Sequence, residues 1–287
     1  MSAASARVRV ANYIPFLREH GVDLKHVPTV SAEEYALLVS SASPARKAAV
    51  LARSALRAAT IRERDALLLV HRLLLLTPIP AIDPPRRLDL YDFDDALTVG
   101  SAATANRRFQ WTKQEARRAV TCMRRARLVL TGNSTLAAQA REHAARVEIV
   151  PSCVDPTAQA LHQHGERETL TIGWIGSHTT VAYLDQLLPV IKRLNERGRR
   201  ATLVVVGGDT GLREEWIEHR SWSLATQAAD LASFDIGVMP LPDTEWTRGK
   251  SGYKLLQYFA AGVPAVASPV GVNAEFVADG RGLAATT

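Results

Sequence analysis

Cysteine is nearly missing from this sequence: Cys122 and Cys153 are the only two among 287 residues, and they form no CxxC pair. Two isolated thiols support neither a disulfide framework nor a structural zinc site, and both read as small buried residues. Aromatic residues are also sparse, at 6%. They do not interleave with the basic residues, and no reader motif appears, which argues against nucleic-acid binding. No apolar run is long enough to cross a bilayer, because the leucine-rich stretch from Leu67 to Leu76 is broken by His71 and Arg72. The opening MSAASARVRV lacks the apolar region of a signal peptide, so a cytoplasmic protein is expected. Acidic residues are outnumbered, 29 to 35, leaving a net charge of +6. That excess suits an acidic partner, whether a nucleotide diphosphate, an anionic membrane surface or nucleic acid, and charge alone does not choose among them.

The remaining composition divides in two. A chain of this length and 47% hydrophobic content fills two cores of ordinary domain size. RVRVANYIPFLREHG has apolar residues at helical spacing and ends on Gly21; DLKHVP looks strand-like; Ser31 to Leu76 reads as helical and basic. RLDLYDFDDAL predicts a short strand, FQWTKQEARRAVTCMRRA a helix, and RLVLTGNST a strand turning into a helix at Ser134. Polar residues then run to about Glu168, so the boundary is expected between domains at 1–165 and 166–287. His162 and His164 in that linker are expected to be solvated. Beyond it TLTIGWIG, ATLVVVGG, FDIGVMPL and PAVASPV are buried-type strands separated by helical patterns, one of them interrupted at Pro189. Strands joined by crossover helices predict a parallel sheet with ligands beyond the strands' carboxyl ends.

Two segments there suit a diphosphate. In GWIGSHTT a strand ends in glycine, and small hydroxyl residues open what reads as a helix, whose free N–H groups attract anions; an ordinary capped turn is the plain alternative. In DTEWTRGKSGYK a helix starting near Arg248 would put Lys250, Lys254 and Gln257 on one face. That makes a phosphate clamp, or else a solvated basic face.

The stretch FDIGVMPLPDTEWTRGKSGYKLLQYFAAGVPAVASPVGVNAEFV resembles the donor-binding region of glycosyltransferase family 4 (group 1), in the branch with a GK-x-x-x-K helix. TIGWIGSHTTVAYL, LDLYDFDDAL and SARVRVANYIPFLREHGVDL are similar to further segments of the same branch. The resemblance implies the GT-B architecture, α/β with two Rossmann-like domains facing across a cleft. It also implies a nucleotide-diphospho-sugar donor, UDP- or GDP-linked, no cofactor, no obligatory metal, and transfer with retention by a hexosyltransferase-type enzyme. It places Gly176, Ser177 and Thr179 at the diphosphate, Arg248 and Lys250 as its counter-charges and Lys254 on the same face. Gln257 stands where many members have a ribose-holding glutamate, and Asn273 and Glu275 are further donor contacts. Ser5 and Arg7 match a place that contacts donor phosphates. Members usually begin with a strand and a glycine-rich turn ahead of the SARVR segment, so an incomplete N-terminal domain is expected.

Asp92, Asp94 and Asp95 invite a metal reading, but magnesium bridging belongs to another glycosyltransferase fold. Asp94 and Asp95 are read as the catalytic pair, steadying an oxocarbenium-like sugar or orienting the acceptor hydroxyl; the plain alternative is a helix cap and an arginine partner. A non-catalytic nucleotide-sugar-binding relative acting as regulatory or scaffold partner is the rival function. An epimerase would need an acid/base pair that the sequence does not offer. Basic residues from Arg46 to Arg64 suit anionic lipid, hence peripheral contact at the inner membrane face and a lipid-linked or polysaccharide acceptor, or simply a solvated helix face.

Overall fold

The computed structural model describes residues 4–61, 65–79, 82–99, 114–278 and 280–286. The chain divides into two compact units, residues 1–152 and 153–287, and both are α/β with parallel sheets. Among the described residues no helix is long and apolar enough to cross a membrane.

The first unit opens with short helices α1 (Ala4–Arg9) and α2 (Ile14–Glu19) joined by a single 3-10 turn, in place of one continuous helix. Residues 22–28 form no strand. Helices α3 (Ala32–Val39) and α4 (Pro44–Thr60) come next. Ser31 caps α3 in a reciprocal capping box with Glu34, and Glu34 also binds Arg57 and Arg53 of α4. Two cations of the basic stretch therefore serve the helical hairpin, while Arg62 and Arg64 lie outside the described residues.

Arg57, the Ser31 backbone and Arg53 hold the Glu34 carboxyl at about 2, below its usual 4.5. A depressed carboxyl stabilises the fold above its unfolded pKa, and that contribution disappears as pH falls toward the folded value. The hairpin is therefore expected to loosen between pH 4.5 and about 2. Glu34→Gln should flatten this acid limb in a helical-circular-dichroism titration, whereas an unchanged limb would contradict the assignment.

The leucine-rich run expected to be helical instead supplies strand β1 (Leu69–His71), which pairs with β2 (Leu90–Phe93). Helix α5 (Glu115–Arg125), strand β3 (Leu128–Thr131), helix α6 (Ser134–Arg141) and strand β4 (Val147–Ile149) complete the unit. The expected start of α5, residues 109–113, lies outside the described residues. Asn133 caps α6 by accepting from Leu136 N–H at 2.9 Å. The four strands lie in chain order, β1-β2-β3-β4. Cys122 is buried as expected, whereas Cys153 is exposed.

The second unit contains β5 (Leu170–Ile175), a 3-10 turn at Val181–Gln186, α7 (Leu188–Glu196), β6 (Ala201–Val206), β7 (Ile217–Arg220), α8 (Gln227–Ala232) and β8 (Ile236–Met239). Then come α9 (Glu245–Arg248), α10 (Tyr253–Ala260), β9 (Ala265–Ala267), α11 (Asn273–Phe276) and β10 (Gly282–Ala284). Pro189 starts α7 and does not kink it, because the first helical turn needs no N–H from it. The strand order is β10-β9-β8-β5-β6-β7, the doubly wound order that reverses direction between β5 and β8. Alternate residues of the strands feed two cores. Ile175, Val204 and Val206 meet Leu231, Leu255 and Tyr258 on one face, while Ile172, Trp174 and Leu203 meet Leu184 and Ile191 on the other.

Residues 153–168 belong with the second unit because they are strapped to it. His162 is buried rather than solvated: its backbone N–H donates to the Ala261 carbonyl and its Nδ1 lies 2.9 Å from the Ala232 carbonyl. Arg167 binds Asp235 at 3.0 Å. A polar composition suggested a free linker, but His162 and Arg167 have fixed partners within the second unit, which begins at Cys153.

Candidate functional site

At the reversal point β5 and β8 pair only through Ile172 with Ile236 and Gly173 with Gly237. Beyond that pair the strands fork, which would leave Ile175 N–H and Val238 C=O without ladder partners. The phenol of buried Tyr258 serves both, accepting from Ile175 N–H at 3.3 Å and donating to the Val238 carbonyl at 3.2 Å. Burial pushes its pKa upward, so it stays a neutral donor. The fork also explains two glycines inside strands. A methyl group at Gly173 would fall 1.9 Å from the Phe234 ring, and one at Gly237 would fall 2.4 Å from the Tyr258 ring.

Tyr258 lies four residues after Lys254 on α10, so both project from the same helix face. Seating the phenol in the fork carries Lys254 to the turn after β5. A methyl group at Gly176 would sit 3.1 Å from Lys254 Cε, and Lys254 Nζ lies 5.3 Å from the centre of the Trp174 ring. The Gly176 N–H is committed to the sheet through the Val206 carbonyl. Ser177, His178 and Thr179, which follow Gly176, are exposed, with Ser177 Oγ 2.7 Å from Thr179 Oγ1. The chain then enters a six-residue 3-10 turn in place of the α-helix expected there.

The second segment differs from the single helix expected of it. Its residues make two helices, α9 and α10, separated at Gly249–Gly252, where Gly252 adopts a left-handed φ of +64°. Lys250 consequently leaves the face shared by Lys254 and Gln257. It lies against the Trp246 ring, 4.5 Å from its centre. Arg248 is exposed and binds Asp243 through two hydrogen bonds of 2.6 and 3.0 Å. Gln257 is 5% exposed and so faces the interior of the unit, not the outer polar stripe expected for it. Asn273 is fully buried, donates to the Ser268 carbonyl at 3.3 Å, and keeps an Oδ1 without a partner among the described residues. Glu275 is exposed on α11.

Trp222, after β7, is a residue that sequence reasoning missed. Its Cβ lies 3.0 Å from where a Gly207 side chain would begin, and its indole N–H donates to Gln227. It follows the carboxyl end of β7, as Gly207 and Gly208 follow that of β6. The available signal was a lone tryptophan between two serines, after a strand too short and too polar to stand out.

In the first unit the acidic string sits at the carboxyl ends of β1 and β2. The register sets His71 directly opposite Asp92, and His71 Nδ1 lies 2.7 Å from Asp92 Oδ2. Asp92 also accepts from Arg9 of α1, through Nη2 and through Nε at 3.3 Å. Burial alone would raise the Asp92 pKa, yet the hydrogen bonds from His71 and Arg9 bring it below the usual range. On the other side of the ring, His71 Nε2 lies 2.7 Å from Ser5 Oγ, and Ser5 donates to Asp94 Oδ1 at 2.6 Å. Asp95 takes Arg72 Nη1 at 2.7 Å, and Arg72 has a left-handed φ of 60°, a strained state for a residue with a side chain. Asp94 and Asp95 are thus adjacent and arginine-supported. Ser5, expected at the donor phosphates, stands with them on α1 within the first unit. His71 and Arg9 were missed; for His71 the available signal was the His71-Arg72 pair closing a strand-length apolar run, and Arg9 carried none. Among the described residues no group of three or more His, Cys, Asp and Glu side chains is arranged to hold a metal.

Comparisons with known proteins bear on both units. Residues 169–286 match the family model described as Glycosyl transferases group 1. No curated protein sequence matches the chain. A UDP-forming alpha,alpha-trehalose-phosphate synthase from Burkholderia xenovorans is 14% identical, with a TM-score of 0.52 over 94% of this chain and 72% of its own. The corresponding synthase of Burkholderia multivorans is 14% identical, with a TM-score of 0.51 over 84% of this chain and 66% of its own. A variant of TarM from S. aureus, solved with Fondaparinux, alpha-GlcNAc-glycerol and UDP, is 11% identical, with a TM-score of 0.51 over 68% of this chain. The match reaches 40% of TarM, so this chain spans well under half of that protein. These likenesses establish the fold, two parallel-sheet Rossmann-like units of the GT-B kind.

Proposed function

We propose that this chain transfers a sugar from a UDP- or GDP-linked diphospho-sugar to a hydroxyl acceptor, with retention and without a metal. The second unit carries the donor. Ser177, Thr179 and the amides of their turn hold the diphosphate, and Lys254 supplies the positive charge that offsets the negative charge developing as it leaves. Lys250 and Arg248 add to the local positive potential, Trp222 offers its face to the base, and Gln257, Asn273 and Glu275 shape the surroundings. In the first unit Asp94 orients the acceptor hydroxyl, with Asp95 beside it.

The observation that carries this reading is the packing of Lys254 on the Gly176 turn at the reversal point of a doubly wound sheet, where such folds bind nucleotides. The family match of the same segment supports it, as do two similar folds, one solved with UDP and one named as UDP-forming. Calorimetric titration with UDP, GDP and their sugars, followed by a transfer assay with and without EDTA and NMR of the product anomer, tests each part. Binding of one diphosphate and EDTA-insensitive transfer with retained configuration is the expected result. Absence of any binding would reject the donor site, and binding without turnover would favour the non-catalytic relative. The acceptor class, lipid-linked or polysaccharide, and peripheral membrane contact through α4 are part of the proposal, and sedimentation with anionic liposomes at low and raised salt tests the contact.

A further inference from the structure

Three heavy atoms in the first unit set a constraint on protons. Asp94 Oδ1, Ser5 Oγ and His71 Nε2 form two consecutive short contacts, 2.6 and 2.7 Å, and each contact needs a hydrogen between its atoms. Ser5 brings one. The other must sit on Asp94 or on His71 Nε2, because the 2.7 Å contact of His71 Nδ1 with the Asp92 carboxylate, kept ionised by Arg9, requires the ring to donate there. Two arrangements satisfy the geometry: carboxylate, hydroxyl and imidazolium, or carboxylic acid, hydroxyl and neutral imidazole. They interconvert by moving two protons along the same line. Asp92, fixed by Arg9, stabilises the imidazolium form.

We propose that Asp94, Ser5 and His71 form a proton relay for the transferred hydroxyl, with His71 as the store and Asp92 as its anchor. The inference rests on the glycosyl-transfer reading above, in which Asp94 meets the acceptor. The bond from the anomeric carbon to the phosphate oxygen breaks and its electron pair leaves with the diphosphate, while the acceptor oxygen bonds to the oxocarbenium-like carbon on the face the diphosphate departs from, as retention requires. The acceptor's proton passes to Asp94, and a shift through Ser5 leaves a proton on His71 Nε2, restoring the Asp94 carboxylate. The imidazolium later returns this proton to solvent. The charged and titratable groups facing it are Arg9 from α1, Arg72 beside the ring, Asp92, Asp94 and Asp95 from β2 and its turn, and His26.

Histidine-selective NMR of the full chain reads the relay directly, with the His71 signal identified by its loss in H71Q. D94N is expected to lower the His71 midpoint by about one unit, as strong coupling requires, and in an S5A background most of that shift should vanish. In the transfer assay S5A and H71Q should lower kcat about 100-fold, with donor KM unchanged. S5T should restore most of the rate. The parent should lose activity as acid loads the relay, with the midpoint seen by NMR, and its proton inventory should be curved where that of S5A is linear. No Asp94-dependent shift of His71, or an H71Q enzyme with parental kcat and pH profile, overturns the relay. Intact coupling with no transfer from any UDP- or GDP-sugar rejects the glycosyl-transfer reading instead and leaves the hydrogen-bonded chain standing. Thermal melts show whether S5A is folded, and S5T carries the comparison if it is not.

Discussion

Replacing Lys254 by methionine is expected to weaken use of the nucleotide-sugar by about 100- to 1000-fold in kcat/KM, the usual loss when one preorganised charge stabiliser is removed. Methionine keeps an apolar stem on the Gly176 turn and the Trp174 ring, so the melting temperature should hardly move. Arg248→Met is the informative comparison. That side chain is half exposed and already paired with Asp243, and exposed pairs contribute about 1 kcal/mol or less. Its loss should therefore change UDP or GDP affinity about tenfold at most. Calorimetry on the two variants checks the order of effects. Equal losses, or a K254M chain that binds like the parent, would remove Lys254 from the donor site.

Asp92→Ala is expected to cost about 3–5 kcal/mol of stability, because it strands a buried guanidinium. The Arg9 and Asp92 side chains are 1% and 4% exposed, so bulk water does not screen the stranded charge. Against a typical stability of about 5–15 kcal/mol, that is a large fraction. Arg9→Met should cost less, since Asp92 retains His71. Combining Arg9→Met with Asp92→Leu should recover part of the loss, because two apolar groups leave no buried charge. Urea unfolding of the three variants tests the ranking, and an Asp92→Ala chain as stable as the parent would show that the pair carries no weight.

The alternation of buried strands with helices from Thr169 onward identified the parallel sheet of the second unit, and the family match falls on the same residues. Four of its six strands were legible because each is a largely apolar run beside glycine or proline, and that pattern is local; β7, IEHR, and the short β10 carry no such run. The break between α9 and α10 was less visible. Helical spacing continues through Lys250, but α9 already ends at Arg248, and α10 starts afresh after the left-handed Gly252, where a side chain would begin 2.6 Å from the Phe276 ring. The strand at Leu69–His71 was misread for a related reason. Leucine favours helix, but three residues hydrogen-bonded beside β2 adopt their neighbour's conformation and not their own propensity.

Local pattern alone was enough to specify that the second half would be a doubly wound sheet with glycine, hydroxyl and basic residues beyond its strands, because hydrophobic period and turn chemistry are properties of neighbouring residues. Which of those residues meet was settled in three dimensions. Lys254 reaches the turn after β5 because Tyr258 fills the fork between β5 and β8. Ser5, Arg9 and His71 reach the acidic string because strand register and a distant helix bring together residues up to 89 positions apart. Contacts of that span arise from the folded chain's closure, and no local pattern encodes them.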